Sequence, residues 1–273
     1  MKLITQDEAI CIRKEILDYF HDFCEENGLK YSLGYGTLLG AVRHKGMIPW
    51  DDDIDLIMPR KDYDRLEKMF SDSRCTDRYQ FVNHRNHPEI KTKIGYFIDY
   101  TTMMEVAKRA NEYHGIHIDI YPVDLVPDDP KKRKQYFTKW KILQFLIRVK
   151  DIHPELFKGK DKWIRNFVKA ILFPFNLDKL LDKLNLTAKS FNNLERTDGT
   201  LAGCYVESGK LQLFPAKVMN EYKLYDYEGK QYYGFKDYDA LLTAWYGDYL
   251  TPPEERDRHR PAHRWIRYYR KGE

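Results

Sequence analysis

The stretch WDDDIDLIMP, residues 50–59, constrains this chain more than any other part of it. Four carboxylates (Asp51, Asp52, Asp53 and Asp55) fall within five positions, and the run passes directly into an apolar segment that reads as a strand over 53–58. Side chains at i and i+2 of a strand share a face, so this reading points Asp53 and Asp55 one way and turns Ile54 and Leu56 to the core. Two carboxylates held this close raise each other's pKa, and a divalent cation removes the penalty. Mg²⁺ favours one or two carboxylates together with substrate phosphates over an all-protein cage. The pattern therefore predicts a platform for phosphoryl chemistry that uses Mg²⁺, with Mn²⁺ as a substitute. An acidic turn is the plainer alternative. An EF-hand fits poorly: Asp51, Asp53 and Asp55 match its first ligand positions, but Leu56 stands where the turn needs glycine and Asp62 where it needs a bidentate Glu.

A second motif precedes the first. In SLGYGTLLGAVRHKG, Gly34, Gly36 and Gly40 are spaced G-x-G-x-x-x-G, which is not the dinucleotide fingerprint. The reading here is a strand over 29–33 running to Gly36-Thr37, then a short helix whose exposed N–H groups suit a phosphate. Arg43, His44 and Lys45 then place positive charge beside the proposed site. A purely structural turn is the alternative. A third motif is HIDIYPVD, where Asp119 interrupts an apolar strand predicted over 115–127. A buried lone carboxylate is costly unless it is paired, hydrogen-bonded or bound to metal. His117 shares its face at period two.

The remaining elements follow from capping and periodicity. Thr5 and Glu8 form a capping box ahead of a helix that ends at Gly28. Helices are also expected over 60–70, 131–150, 161–172, 178–195 and 237–246, and strands over 79–83, 90–98 and 102–107. This is a mixed α/β (α+β) domain, its core made of 1–127 and 199–273, with a helical insertion over 128–198. Within 131–175 there are 13 Lys or Arg against three acids, although the net charge of the whole chain is only +4, so the rest is net acidic. Amphipathic basic helices of this kind suit an anionic membrane surface, and equally an ordinary core-facing helix with a solvated basic side. Nucleic acid is not expected as a partner. The four cysteines form no Cys-x-x-Cys pair, and no run of apolar residues is long enough to span a bilayer. The opening residues carry no signal-peptide pattern. These features predict a cytoplasmic protein, peripheral on the inner face of the membrane.

The order Gly-Thr, then Asp-x-Asp, then an isolated Asp on an apolar strand resembles the nucleotidyltransferase-fold superfamily. The superfamily usually has Gly-Ser where this chain has Gly36-Thr37. The longer strings YSLGYGTLLGAVRHKGMIPWDDDIDLIMPRKDYDRL, GIHIDIYPVDLVPDD and YDALLTAWYGDYLTPPEERDRHR are similar to the LicD family, whose animal relatives include fukutin and fukutin-related protein. The resemblance implies a nucleotidyltransferase-like mixed sheet flanked by helices. It implies a phosphotransferase that takes phosphocholine or another phospho-alcohol from CDP-choline or another CDP-alcohol. The acceptor would be a lipid-linked cell-envelope glycan such as teichoic acid, and CMP would leave. Carried over, Asp53, Asp55 and Asp119 are the catalytic residues and metal ligands. Beside them, by their place in the sequence, Gly36, Thr37, Arg43, His44, Lys45, Trp50, Asp51 and Asp52 are expected to border the donor, and Arg256 and His259 of the C-terminal tail either close over phosphate or belong to a solvated basic tail. Two alternatives remain open. A nucleotidyltransferase would move NMP from an NTP and release pyrophosphate. A non-catalytic membrane scaffold would need none of the three carboxylates. His84 and His87 read as ordinary loop residues, and Trp245, Tyr246 and Tyr249 as core aromatics or as a cage for a quaternary ammonium.

Overall fold

The capping box sets the first helix. In the computed structural model Thr5 Oγ accepts the Glu8 N–H at 3.2 Å, and the Thr5 N–H donates back to Glu8 Oε2 at 2.8 Å. Helix α1 (Gln6–Asn27) ends where Gly28 takes up a left-handed φ of 59°. Ile12, Ile16, Leu17 and Phe20, spaced by three and four, make the buried stripe that lies on the sheet. The structure describes residues 2–71, 78–106, 109–151, 176–197, 199–205, 211–255, 258 and 266–271.

Among these residues the chain forms β1 (Lys2–Ile4), α1, β2 (Ser32–Leu33), α2 (Tyr35–Arg43), β3 (Asp55–Pro59) and α3 (Arg60–Ser71). Next come β4 (Tyr79–Val82), β5 (Gly95–Val106), β6 (Arg109–Val126), α4 (Pro130–Asp151) and α5 (Leu177–Lys189). The chain closes with β7 (Leu201–Tyr205), β8 (Leu211–Pro215), a 3-10 turn over Ala216–Asn220, β9 (Tyr222–Tyr227), β10 (Lys230–Phe235), α6 (Tyr238–Tyr246) and β11 (Ile266–Arg270). The main sheet runs β1-β11-β5-β6-β3-β2, with β4 added on β5, β7 on β6, and β8 on β7. It is mixed: β3 and β6 are parallel, and the other pairs are antiparallel. β9 and β10 form a separate hairpin. The architecture is the mixed α/β class expected.

Several boundaries differ from expectation. The strands expected over 90–98 and 102–107 are one strand, β5, with an irregularity between Asp99 and Met104. The buried Asp99 carboxylate accepts the Thr101 N–H at 2.9 Å and its hydroxyl at 2.6 Å, while Arg78 donates to its other oxygen. These bonds satisfy the bulged backbone, so the strand continues through it. The helix expected to reach 195 stops at Lys189, where the Ser190 hydroxyl and N–H both turn back to Thr187 O. The helix expected over 161–172 lies outside the described residues.

Helices α4 and α5 fall between β6 and β7, which are neighbours in the sheet. Arg60 and Asp124 tie α5 down. The buried Arg60 guanidinium donates from Nε to Asp124 Oδ1 at 2.8 Å and from Nη2 to Oδ2 at 2.5 Å. Its Nη1 reaches Asn185 of α5 at 3.1 Å. Asn192 completes the knot, donating to Asp124 Oδ1 at 2.6 Å and accepting the Leu125 N–H at 2.7 Å. No helix among the described residues is long and apolar enough to cross a membrane.

Candidate active site

The site begins with two parallel strands. Asp55 opens β3 and is the register partner of Asp119 on β6, so their side chains leave the same face of adjacent strands, about 4.8 Å apart at the backbone. Three main-chain donors fix this corner. The Asp119 N–H donates to Ile54 O, and the Gly34 N–H to Asp55 O, both at 2.9 Å. The Asp55 N–H donates to Thr37 Oγ at 2.9 Å. Thr37 thus holds the backbone that carries Asp55. It does so from the first turn of α2, because the preceding strand ends at Leu33 and the helix begins at Tyr35. The expectation that a strand runs to Gly36-Thr37 is corrected: two ladder pairs with β3 are all that β2 makes before Gly34 turns the chain.

The acidic run divides differently from the strand reading. Residues 51–54 precede β3 and form no strand. Asp53 therefore does not share a strand face with Asp55. It lies instead with Asp51 and Asp52, and one oxygen from each of these three carboxylates lies within 4.8 Å of the others. Asp55 and Asp119 are not in that cluster. Asp51 is drawn to the start of α2: a Cβ on Gly36 would stand 2.4 Å from Asp51 Oδ2, so glycine is what lets the carboxylate approach. Burial, reinforced by Asp53 beside it, pushes the Asp51 carboxyl up to about 8. A carboxyl raised in this way keeps its proton beside the Asp53 carboxylate. A cation would replace that proton. The donors are all hard oxygens, which suits Mg²⁺ or Mn²⁺ and not a soft metal.

Tyrosines distant in sequence close over this corner. Tyr227, from β9, has a buried hydroxyl with no hydrogen-bond partner among the described residues. Its ionisation is pushed up by burial first, then by Glu228 and the Asp51, Asp53 and Asp55 carboxylates. Tyr246 is raised by burial and by the same three aspartates. Tyr35 sits at a strained φ of 43°, stacked on Trp245 with ring centres 4.5 Å apart and edge-on to Tyr121 at 4.8 Å. Trp245 is thus packed against a neighbouring ring. Tyr227 and Tyr35 escaped the sequence reading, since no local pattern connects them with residues 51–55.

Around Asp119 the groups are closer in sequence. His117 Nε2 lies 3.5 Å from Asp119 Oδ1, and its Nδ1 is 3.0 Å from Gly115 O. The Tyr121 hydroxyl donates to Asp119 Oδ2 at 3.3 Å. The Tyr96 ring lies 4.4 Å from the His117 imidazole. The period-two pattern that paired His117 with Asp119 also gives Tyr121 as the third residue on that face.

Arg43, His44 and Lys45 come at the C-terminal end of α2. Arg43 donates to Tyr249 O at 3.0 Å, and burial lowers its pKa. Lys45 is exposed at a left-handed φ of 60°, and its carbonyl accepts the Glu228 N–H at 3.0 Å. Arg43 ends α2, about 10 Å along the helix from Gly36, where Asp51 meets it. The exposed His44 lies edge-on to Trp50 with ring centres 6.2 Å apart. Arg258 stands 4.5 Å over the same Trp50 ring, which brings the C-terminal tail next to the acidic run. Arg256 and His259 lie outside the described residues. His84 contacts Asp182 at 3.1 Å and His87 contacts Glu89 at 3.0 Å, both away from the acidic corner.

A mixed sheet with carboxylates on adjacent parallel strands, joined to an acidic loop at a helix start, is an arrangement that can bind a cation and a phosphate together. Residues 28–160 match the LicD/FKTN/FKRP nucleotidyltransferase domain. The chain is 30% identical over 273 aligned positions to the lipopolysaccharide cholinephosphotransferase LicD of Haemophilus influenzae, covering 96% of this chain and 97% of that protein. It is 30% identical over 114 residues to the human ribitol 5-phosphate transferase FKRP, 41% of this chain and 21% of that one. A Rickettsia prowazekii protein of uncharacterised function is 45% identical over 49 residues, 18% of each chain. The chain belongs to the LicD family and is a phosphotransferase.

Proposed function

We propose that this enzyme moves phosphocholine, or a related phospho-alcohol, from a CDP-linked donor such as CDP-choline to a hydroxyl of a cell-envelope glycan, and releases CMP. Teichoic acid and lipopolysaccharide are the acceptor classes in view. The observation that carries the reading is the Asp55–Asp119 register pair beside the Asp51, Asp52 and Asp53 oxygen cluster, in a chain that aligns from end to end with a cholinephosphotransferase. Asp53, Asp55 and Asp119 would hold Mg²⁺ or Mn²⁺, with Asp51 and Asp52 completing the acidic wall. Such an ion would neutralise charge on the donor diphosphate and on the leaving CMP.

The chain's own residues do the rest. Asp119, held between His117 and Tyr121, accepts the proton of the acceptor hydroxyl as its oxygen attacks the phosphorus. The first turn of α2, at Gly36 and Thr37, faces the donor phosphates. Trp50 and the Arg258 that covers it border the donor, with Arg256 and His259 of the same tail closing over phosphate. Catalysis is then mainly positioning and electrostatics.

The test is incubation with a panel of CDP-alcohols and Mg²⁺, with and without a glycan acceptor. CMP release that depends on acceptor and divalent cation is expected, and Asp53→Asn, Asp55→Asn or Asp119→Asn should abolish it without unfolding the protein. Pyrophosphate release from an NTP would replace this reading with nucleotidyl transfer. Wild-type turnover in any of the three variants would remove that residue from the proposed machinery.

A further inference from the structure

Helices α4 and α5 enclose an open groove of about 650 Å³. Its floor is apolar, formed by Leu143, Leu146 and Leu180, and four lysines stand around it: Lys134 and Lys139 from α4, Lys179 and Lys183 from α5. None of the four is ion-paired among the described residues. The two acids of α5 are turned away, Asp178 onto Lys91 at 2.5 Å and Asp182 onto His84 at 3.1 Å. α4 itself carries eight Lys or Arg and one acid, its last residue, Asp151. The groove therefore presents positive charge alone.

Large apolar side chains stand exposed beside it. Ile142 is 54% exposed, Phe145 65% and Leu186 67%. Ile142 and Phe145 continue the stripe of Lys134 and Thr138 along α4, and Leu186 continues the stripe of Lys179 and Lys183 along α5. An apolar strip flanked by unpaired lysines matches the boundary of an anionic bilayer, where acyl chains meet phosphates. A second copy of so basic a face would repel it, and a nucleic acid would leave the apolar floor and Phe145 unused. Asp124, which anchors α5, lies five residues beyond Asp119 on β6, about 16 Å away, so this face is separate from the carboxylate corner.

We propose that the α4–α5 face docks the protein on an anionic phospholipid surface. Phe145, Ile142 and Leu186 enter the acyl boundary, the groove accepts part of one acyl chain, and the four lysines take the lipid phosphates. The inference concerns a surface apart from the reaction and stands whichever donor the enzyme uses.

The test is sedimentation of the full chain with phosphatidylcholine vesicles and with vesicles that also contain phosphatidylglycerol. Binding at least about tenfold tighter to the anionic vesicles is expected, weakening as salt rises. The double variant Lys139→Glu/Lys183→Glu should lose most of that preference. Phe145→Ser should weaken binding severalfold while the charge preference remains. Unchanged circular dichroism and melting temperature in both variants separate lost docking from lost fold. Equal binding to both vesicle types, binding to neither, or undiminished binding by the charge-reversed variant overturns the proposal. Retention on RNA through the same lysines, with none on vesicles, overturns it in favour of nucleic acid.

Discussion

Gly36 and Asp51 touch because position 36 carries no Cβ: the space a Cβ would occupy there lies 2.4 Å from Asp51 Oδ2. The first turn of α2 and the acidic loop meet through this missing methyl group. Gly36→Ala separates two effects. Alanine is the better helix former by about 1 kcal/mol, so helix propensity favours the variant. The methyl group must also push the Asp51 carboxylate out of the cluster. We expect a melting temperature within a few degrees of wild type and a fall in CMP release of at least about tenfold. A variant as active as wild type would show that Asp51 has no required position.

Thr37 offers a second separation. Its hydroxyl oxygen is the acceptor for the Asp55 N–H. Thr37→Val keeps the shape and removes the acceptor, leaving a buried donor unpaired at a cost of about 1–3 kcal/mol. Thr37→Ser keeps the oxygen. Urea unfolding and initial rates should both fall in the valine variant and stay near wild type in the serine variant. Equal loss in the two would assign the effect to packing of the threonine methyl.

The Asp51 carboxyl gives a pH dependence of unusual sign. Its folded-state pKa of about 8 lies above the ordinary value of 3.8. Between these values the folded protein holds a proton that the unfolded chain has released. Stability in the absence of divalent cation should therefore fall as pH rises from about 4 towards 8, with a slope of up to about 1.4 kcal/mol per pH unit. Asp51→Asn should flatten the profile. Saturating Mg²⁺ should also flatten it, because a bound cation takes the place of the proton. Urea titrations across this pH range with EDTA and with Mg²⁺ measure both. A Mg²⁺-independent slope would argue against a cation at this corner.

The Arg60–Asp124 pair predicts a stability effect remote from chemistry. Asp124→Ala leaves a buried guanidinium without its carboxylate and frees Asn192. A loss of about 3–5 kcal/mol is expected in urea unfolding. Replacing both partners with apolar residues of similar volume should cost less than the single change. The opposite ranking would mean that the hydrogen bonds to Asn185 and Asn192 matter more than the ion pair.

Much of this was legible in the sequence wherever the signal was local. Thr5, Glu8 and Gly28 mark both ends of α1, since caps act within a few residues. The alternation in HIDIYP put His117 and Asp119 on one face, where the structure has them in contact, with Tyr121 joining them. The acidic run was legible in kind but not in arrangement. Strand periodicity grouped Asp53 with Asp55, whereas the loop gathers Asp53 with Asp51 and Asp52, and the Asp51 carboxylate fits against a glycine in the preceding helix. The local sequence offers Arg43 as a positive charge but not its hydrogen bond to the Tyr249 carbonyl, more than 200 residues onward. Separation along the chain also hid Tyr227. Nor does alternation foretell that Asp99 would satisfy a bulge and join two strands into one.

The carboxylate corner is fixed by main-chain bonds from Asp119 to Ile54 and from Gly34 to Asp55, neither of which involves the acidic side chains. The scaffold is therefore indifferent to the chemistry it carries. A descendant of this chain that lost every catalytic carboxylate would keep the same corner, so shape alone would not distinguish a working enzyme from a silent copy.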